Sequence, residues 1–306
     1  LKRGYHPTLA MGPIMASGAI AMLIPPSALA VLLGSLAGIS IAGLLVAGIV
    51  PAIILSALAV LFIAGAATIR PDLAPSDEQP PMTLRERWTP FAVHVLPLSG
   101  IFIVVIGSLL TGLATPTESA ALGCLAAIVA GFGYRSMSAG ALATAVMETV
   151  KLSVMILFII AASQTFSQIL SFSGATGGLI RLIQGFDLSA LWILVGMILI
   201  LLFLGCFIDQ ISMLMVTIPV FIPLARTAGI DELVLGVVYL LTMEIALLTP
   251  PFGLLLFVMQ GVAPPSIRMR QIYAAVTPFL LIKLFVLALV VAIPALGTWL
   301  PGQLGR

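Results

Sequence analysis

Charge is what this sequence has least of. Its 306 residues include only 13 Lys and Arg and 11 Asp and Glu, 8% in all, where roughly a quarter of a soluble domain is charged. Such a chain has too few polar groups to cover a globule in water. A net charge of +2, without a Lys- or Arg-rich run, excludes the electrostatic footprint that nucleic-acid binding needs. Cysteine is equally scarce. Cys124 and Cys206 stand singly in apolar stretches, which excludes a disulfide framework and a CxxC metal or redox site. With two histidines and no HExxH, GxSxG or Walker motif, soluble-enzyme chemistry has no footing, and the chain is expected not to be an enzyme.

Long apolar runs are what it does have. Residues 7–69 contain no Asp, Glu, Lys or Arg, whereas a helix needs only about 20 apolar residues to span hydrocarbon. Further uncharged windows cover 88–117, 119–134, 152–180, 188–208, 210–225, 245–267 and 284–305. All are expected to be helical, because lipid forces backbone groups to pair within each segment. The chain therefore reads as an all-α polytopic membrane protein. Only residues 70–87, with four Pro and seven charges, look fully aqueous, and they predict a polar linker between two membrane parts.

Two spans are interrupted in the same way. Pro25-Pro26-Ser27 lies within the first run, and Thr249-Pro250-Pro251-Phe252-Gly253 within a later one. A proline pair removes two backbone donors, so each marks an unwound point at membrane depth. The two pairs are 225 positions apart, and in that register Gly4 falls on Gly229 and Leu23 on Leu248. With one inserted residue Ser40-Ile41 falls on Ser266-Ile267, and with another Pro51 falls on Pro278. Two copies of one unit are thus expected: 1–69 as the C-terminal part of the first, 70–87 as linker, 88–306 as the second. If the copies are equally long, roughly 135 residues precede Leu1, an expectation that rests on repeat symmetry.

Several positions carry chemistry. At Ser171-Phe-Ser173-Gly174-Ala-Thr176-Gly-Gly178 a long uncharged stretch turns on small and hydroxyl residues. A re-entrant hairpin tip there would offer hard oxygen ligands to a dehydrated alkali cation; a surface turn or a small-residue packing face is the structural alternative. Asp209 lies between two apolar segments, where an ionisable group marks an ion path by default. It also fits the N-cap of the following helix, and with Thr217 it is a candidate cation ligand. Thr115-Pro116-Thr117-Glu118 fits a capping box with Pro at the first helical position, so Thr115, Thr117 and Glu118 are assigned structural roles. At Thr249-Pro250-Pro251-Phe252-Gly253 the carbonyls of Ala246 and Leu247 lose helical donors and are open to a cation or to protein. Glu148 and Lys151 pair on one helix face. Glu244 is expected to pair with another helix, and Lys283 to snorkel. A substrate anion would need Arg181, Arg226 or the helix N-termini after Asp209 and Pro250.

Gly112-Leu-Ala-Thr-Pro-Thr-Glu-Ser-Ala-Ala121, Gly205-Cys-Phe-Ile-Asp209 with Pro219 and Pro223, and Leu248-Thr-Pro-Pro-Phe-Gly253 with Leu256-Phe257 together resemble the large, DctM-like membrane subunit of tripartite ATP-independent periplasmic (TRAP) transporters. Ile24-Pro-Pro-Ser27 with Gly48 and Pro51 resembles that family's first half, and the likeness runs from Gly4 to Leu296. It implies an inverted-repeat, elevator-type transporter with discontinuous helices and a re-entrant hairpin, here mapped to Phe158–Ile183. It further implies import of an organic acid (a C4-dicarboxylate, sialic acid or similar carboxylate) across the bacterial inner membrane, with Na+ as coupling ion and no other cofactor. Implied partners are a small four-helix membrane subunit (DctQ-like), a periplasmic substrate-binding protein (DctP-like) and the lipid bilayer. On that reading Ser171, Ser173, Gly174, Asp209 and Thr217 hold Na+. Thr176, Thr249, Pro250, Pro251, Gly253, Pro25, Pro26 and Ser27 line the transport path. A binding-protein-independent, ion-coupled anion or citrate-type carrier is the alternative.

Overall fold

The computed structural model describes residues 4–74, 83–251 and 253–304, with only the backbone of Arg87, His94 and Leu304. Residues 75–82 of the expected linker, and Phe252 of the second proline motif, lie outside these. No strand occurs among the described residues. Among the described residues, five helical stretches are long and apolar enough to cross a membrane: Ile41–Ile69, Pro116–Gly133, Ala139–Phe172, Gln210–Thr227 and Met269–Ala292. The chain is an all-α, multi-pass membrane protein.

In chain order the helices are α1 (Pro7–Ala10), α2 (Gly12–Ile20), α3 (Ala28–Ala37), α4 (Ile41–Ala47), α5 (Ile49–Ile69), α6 (Leu84–Pro90), α7 (Leu96–Leu110) and α8 (Pro116–Gly133). There follow α9 (Ala139–Phe172), α10 (Ala175–Gln184), α11 (Ala190–Gly205), α12 (Gln210–Thr227), α13 (Glu232–Ala246), α14 (Leu254–Val262), α15 (Met269–Ala292) and α16 (Ala295–Leu304). They form two compact units, one of residues up to 77 together with 170 onward, the other of residues 78–169.

The first unit is built around α13. Asp231 caps its N-terminus, accepting from Leu233 N at 2.9 Å and Val234 N at 3.0 Å, and every residue from Val234 to Ala246 is buried. A helix that is apolar on all sides must be surrounded, and α11, α15, α4, α12, α16 and α3 pack around this one. On one flank Met15 and Ala19 of α2 share a core with Leu248, with Leu256 and Met259 of α14, and with Ile272, Ala275 and Val276 of α15. That cluster joins the helix before the first proline pair to the segment that contains the second.

The positions that the sequence register aligns share some backbone features. Gly4 and Gly229, aligned by sequence, both take the left-handed conformation, with φ of 81° and 71°, and each precedes a helix that runs into a break. Pro25-Pro26 and Pro250-Pro251 are both cis, and a short apolar helix follows each pair: α3 in one copy, α14 in the other.

The second unit holds α6 to α8 and most of α9. Ser108 Oγ on α7 donates to Ser119 Oγ on α8 at 2.9 Å, and the Tyr134 hydroxyl donates to the Val93 carbonyl. None of the 34 residues of α9 is buried, leaving an apolar surface suited to hydrocarbon. The expected charge pair is present on it, with Lys151 Nζ 2.7 Å from Glu148 Oε1.

Because Leu240 is fully buried on α13 whereas Leu157 on α9 is 64% exposed, truncating the two should differ sharply. Leu240→Ala is expected to destabilise the purified protein by about 2–5 kcal/mol, as buried leucines do. Leu157→Ala should change stability by no more than about 0.5 kcal/mol. Thermal unfolding in one detergent checks both.

Candidate functional site

Where a helix breaks at membrane depth, the freed backbone groups need partners, and the first break finds them locally. Met22 N donates to Ala19 O at 3.2 Å and Leu23 N to Ile20 O at 3.0 Å, turning the chain out of α2. Ser27 then closes the turn. Its buried hydroxyl donates to Met22 O at 2.5 Å and accepts from Ala30 N at 3.2 Å as the N-cap of α3. Gly48 packs against the same turn so closely that a Cβ would lie 2.5 Å from the Leu23 carbonyl oxygen. Pro25 is buried and Pro26 is at the surface.

The second break is sealed in the same way. Ala246 O accepts from Thr249 N at 3.1 Å and Leu247 O from Leu255 N at 3.3 Å, so the two carbonyls that the proline pair strands are taken by protein. Thr249 Oγ1 donates back to Ile245 O at 2.7 Å. Gly253, the N-cap of α14, is buried, and a Cβ there would lie 2.7 Å from the Leu247 carbonyl oxygen. Pro250 and Pro251 are exposed, and α14 starts with no side-chain cap.

Between the breaks lies a buried ion pair. Glu244, 0% exposed and two residues before the end of α13, accepts from Lys283 Nζ of α15 at 2.5 Å, and Lys283 is 2% exposed. The expected partner for Glu244 on another helix is therefore Lys283. Lys283 itself does not snorkel: it sits well inside α15, facing α13, where its ammonium meets a carboxylate and not the membrane surface. The other Glu244 oxygen, Oε1, is buried and completes no hydrogen bond.

Asp209 occupies the N-cap of α12. Its Oδ1 accepts from Ile211 N and Ser212 N, each at 3.0 Å, and its Oδ2 from Ser212 Oγ at 2.5 Å, so the first turn of α12 engages both oxygens. Thr217 lies on the same unbroken helix, about 12 Å further along the axis. Its buried hydroxyl donates to Met213 O at 2.7 Å and accepts from Tyr239 at 3.1 Å. Asp209 and Thr217 therefore do not share one coordination shell in this conformation. Instead, Thr217 ties α12 to α13.

Ser171, Ser173 and Gly174 lie together at the turn between α9 and α10. Gly174 is left-handed, with φ of 73°, its N–H bonds Ser171 O at 3.1 Å, and Ser173 Oγ bonds Leu170 O at 3.0 Å. All three are exposed, whereas the Thr176 hydroxyl oxygen, one turn on, is buried without a partner. No group of three His, Cys, Asp or Glu gathers among the described residues. Of the basic residues considered for a substrate anion, Arg226 is held by Glu232 at 2.6 Å, and Arg181 is exposed in the last turn of α10.

The capping box at the head of α8 is complete. Thr115 N and Oγ1 donate to Glu118 Oε2 at 2.7 and 2.8 Å, and Glu118 N returns a bond to Thr115 Oγ1 at 3.4 Å. Thr117 is exposed between them. Thr83 and Glu86 build a second box at α6.

These breaks and caps coincide with the motifs of one family. The family profile for the tripartite ATP-independent periplasmic transporter, DctM component, matches residues 1–296. The chain belongs to this family. The C4-dicarboxylate TRAP transporter large permease protein DctM of Pseudomonas aeruginosa is 31% identical over the whole chain, which covers 70% of that relative. The 2,3-diketo-L-gulonate TRAP transporter large permease protein YiaN of Escherichia coli is 29% identical over 95% of the chain and 67% of its own length. The ectoine TRAP transporter large permease protein TeaC of Halomonas elongata is 27% identical over 98% of the chain and 69% of its own length. In this DctM-family chain, nothing local in the sequence names the partner of Glu244. Glu244 and Lys283 are 39 residues apart, and only the packing of α13 on α15 brings them together.

Removing the Ser27 hydroxyl deletes both a helix cap and the bond that closes the first break. Ser27→Ala is expected to lower stability by about 1–3 kcal/mol, while Ser27→Thr keeps most of it. Chemical or thermal unfolding of the two variants side by side checks this.

Proposed function

We propose that this chain acts as the large permease subunit of a Na+-coupled, binding-protein-dependent secondary transporter of the bacterial inner membrane that imports an organic acid. The observation that carries the reading is the pair of equivalent helix–break–helix segments, packed in one unit around α13. Discontinuous helices in duplicated halves are how secondary transporters build a site near the bilayer midplane. Membership of a transporter permease family supports it, and the names of relatives, which refer to C4-dicarboxylate, 2,3-diketo-L-gulonate and ectoine, favour an organic acid or a close polar analogue as the substrate class.

Within that proposal the residues take distinct parts. Ser171, Ser173 and Gly174, with Asp209, supply hydroxyl, carbonyl and carboxylate oxygens for the coupling Na+. Thr217, with its hydroxyl engaged on both sides, serves packing. The uncapped N-terminus of α14 after Gly253 presents a positive dipole end to a substrate carboxylate, whereas the N-terminus of α12 is already neutralised by Asp209. Thr176, Thr249, Pro250, Pro251, Pro25, Pro26 and Ser27 border the path. Transport by an elevator movement, together with a small membrane subunit and a periplasmic binding protein, completes the proposal. A relative from Oleidesulfovibrio alaskensis named isethionate TRAP transporter permease protein DctMQ is 26% identical over 99% of the chain, in keeping with such partnership.

Proteoliposomes holding the complete complex, with radiolabelled succinate and the binding protein outside, should take up label only when Na+ is present outside. Replacing Na+ with choline is expected to cut uptake at least tenfold, and undiminished uptake in choline would remove Na+ coupling from the account. Because Asn caps a helix as well as Asp does, Asp209→Asn should fold with unchanged stability yet raise the Na+ concentration for half-maximal uptake several-fold.

A further inference from the structure

Two helices of the first unit, α5 and α15, end in unpaired cations at the same place. Phe62 of α5 meets Phe279 of α15 edge-on, with ring centroids 5.3 Å apart. Arg70 lies eight residues onward from that contact and Arg270 nine residues back from it, about 12 Å and about 14 Å along their helices. The N-terminal segment joins the two ends. Gly12 packs on Ala275 and Phe279, and His6, at the head of α1, donates its N–H to Leu73 O just past Arg70 at 3.0 Å. The two helices therefore run antiparallel, and Arg70, Arg268 and Arg270 emerge at one end of the pair. All three are exposed. The ion pairs among the described residues engage Lys151, Arg226 and Lys283 instead, and Asp72, in the turn after α5, is paired with none of the three. The first turn of α15 contains no acid, so Arg268 and Arg270 stand at a positive dipole end, where an acid is the favoured residue. Three cations gathered there with no carboxylate to offset them are complementary to an external anion.

The surface that runs from these arginines is apolar. Arg270, Ala274, Thr277, Leu281 and Phe285 are all exposed, at the three- and four-residue spacing of one helix face. On α5, Leu61 and Ile69 are exposed beside Arg70. A free anion would use the arginines alone, whereas a lipid would also cover the apolar face. We infer that Arg70, Arg268 and Arg270 bind the headgroup of an anionic phospholipid whose acyl chains lie along the exposed faces of α5 and α15. The guanidinium groups donate charge-assisted hydrogen bonds to the phosphate. A headgroup that keeps a net negative charge is selected over a zwitterionic one, because the basic cluster gains from net charge. The site does not depend on the transport reading.

The test uses the complete complex in nanodiscs of equimolar phosphatidylglycerol and phosphatidylcholine. The photo-crosslinking amino acid p-benzoylphenylalanine replaces Ile69 or, as a control, the exposed Leu199 on the uncharged α11. After irradiation, mass spectrometry of the lipid adducts gives the ratio of the two lipids at each position. One arginine beside an anionic headgroup is worth about a factor of five in binding, so phosphatidylglycerol adducts should outnumber phosphatidylcholine adducts at position 69 by about fivefold or more. The ratio at position 199 should be near parity. Arg70→Gln/Arg268→Gln/Arg270→Gln should bring position 69 down to the control, and Arg70→Lys/Arg268→Lys/Arg270→Lys should keep most of the preference. Excess inorganic phosphate should leave the ratio unchanged. Parity at position 69 in the parent would overturn the inference. So would a preference that survives the glutamine variant, or one that vanishes when phosphate is added, since the arginines would then hold a free anion. Should the glutamine variant not fold, the parent ratio and the phosphate arm decide the question without it.

Discussion

A backbone that leaves the helix inside a membrane protein has no water to fall back on, and every amide and carbonyl it frees must be met by protein. This requirement explains most of what surrounds the two proline pairs. The Ser27 hydroxyl closes one turn and caps α3; Thr249 N and Leu255 N take up the two carbonyls stranded by the other. Gly48 and Gly253 occur where neighbouring carbonyl oxygens approach too closely for any side chain. The fully buried α13 provides the wall against which these segments are held.

The two proline breaks are alike in layout but differ in the charge around them. The positions that align with Glu244 and Lys283 before and after the first break are the uncharged Ala19 and Ser56. Near the second break the chain therefore holds a fixed pair of charges in an otherwise uncharged core, while Asp209 remains at a helix N-terminus, stabilised by the amides it caps.

Local chemistry was legible in the sequence. The Thr115–Glu118 box, the Asp209 cap, the Glu148–Lys151 pair and the two proline breaks all depend on residues within a few positions of one another, and each stands where spacing places it. What was not legible depends on which helices meet. Lys283 looks like a snorkelling lysine until α15 is seen to face α13 with Glu244 opposite. Thr217 looks available to a cation until Tyr239, 22 residues on, is found bonded to it. The carbonyls of Ala246 and Leu247 were open to ion or protein because nothing in the sequence says how the chain returns after Gly253. The division into compact units is likewise a product of contact, with residues up to 77 and those from 170 onward sharing one core.

Central to the account is that both breaks are closed turns whose freed carbonyls at Met22, Ala246 and Leu247 are taken by neighbouring protein groups. Amide hydrogen exchange of the complete permease in lipid nanodiscs, followed by mass spectrometry, tests this most directly. The amides of Leu23, Thr249, Gly253 and Leu255, each bonded within its turn, should exchange as slowly as those of α13. Exchange in either segment at the rate of an unprotected backbone, with α13 still protected, would contradict the account.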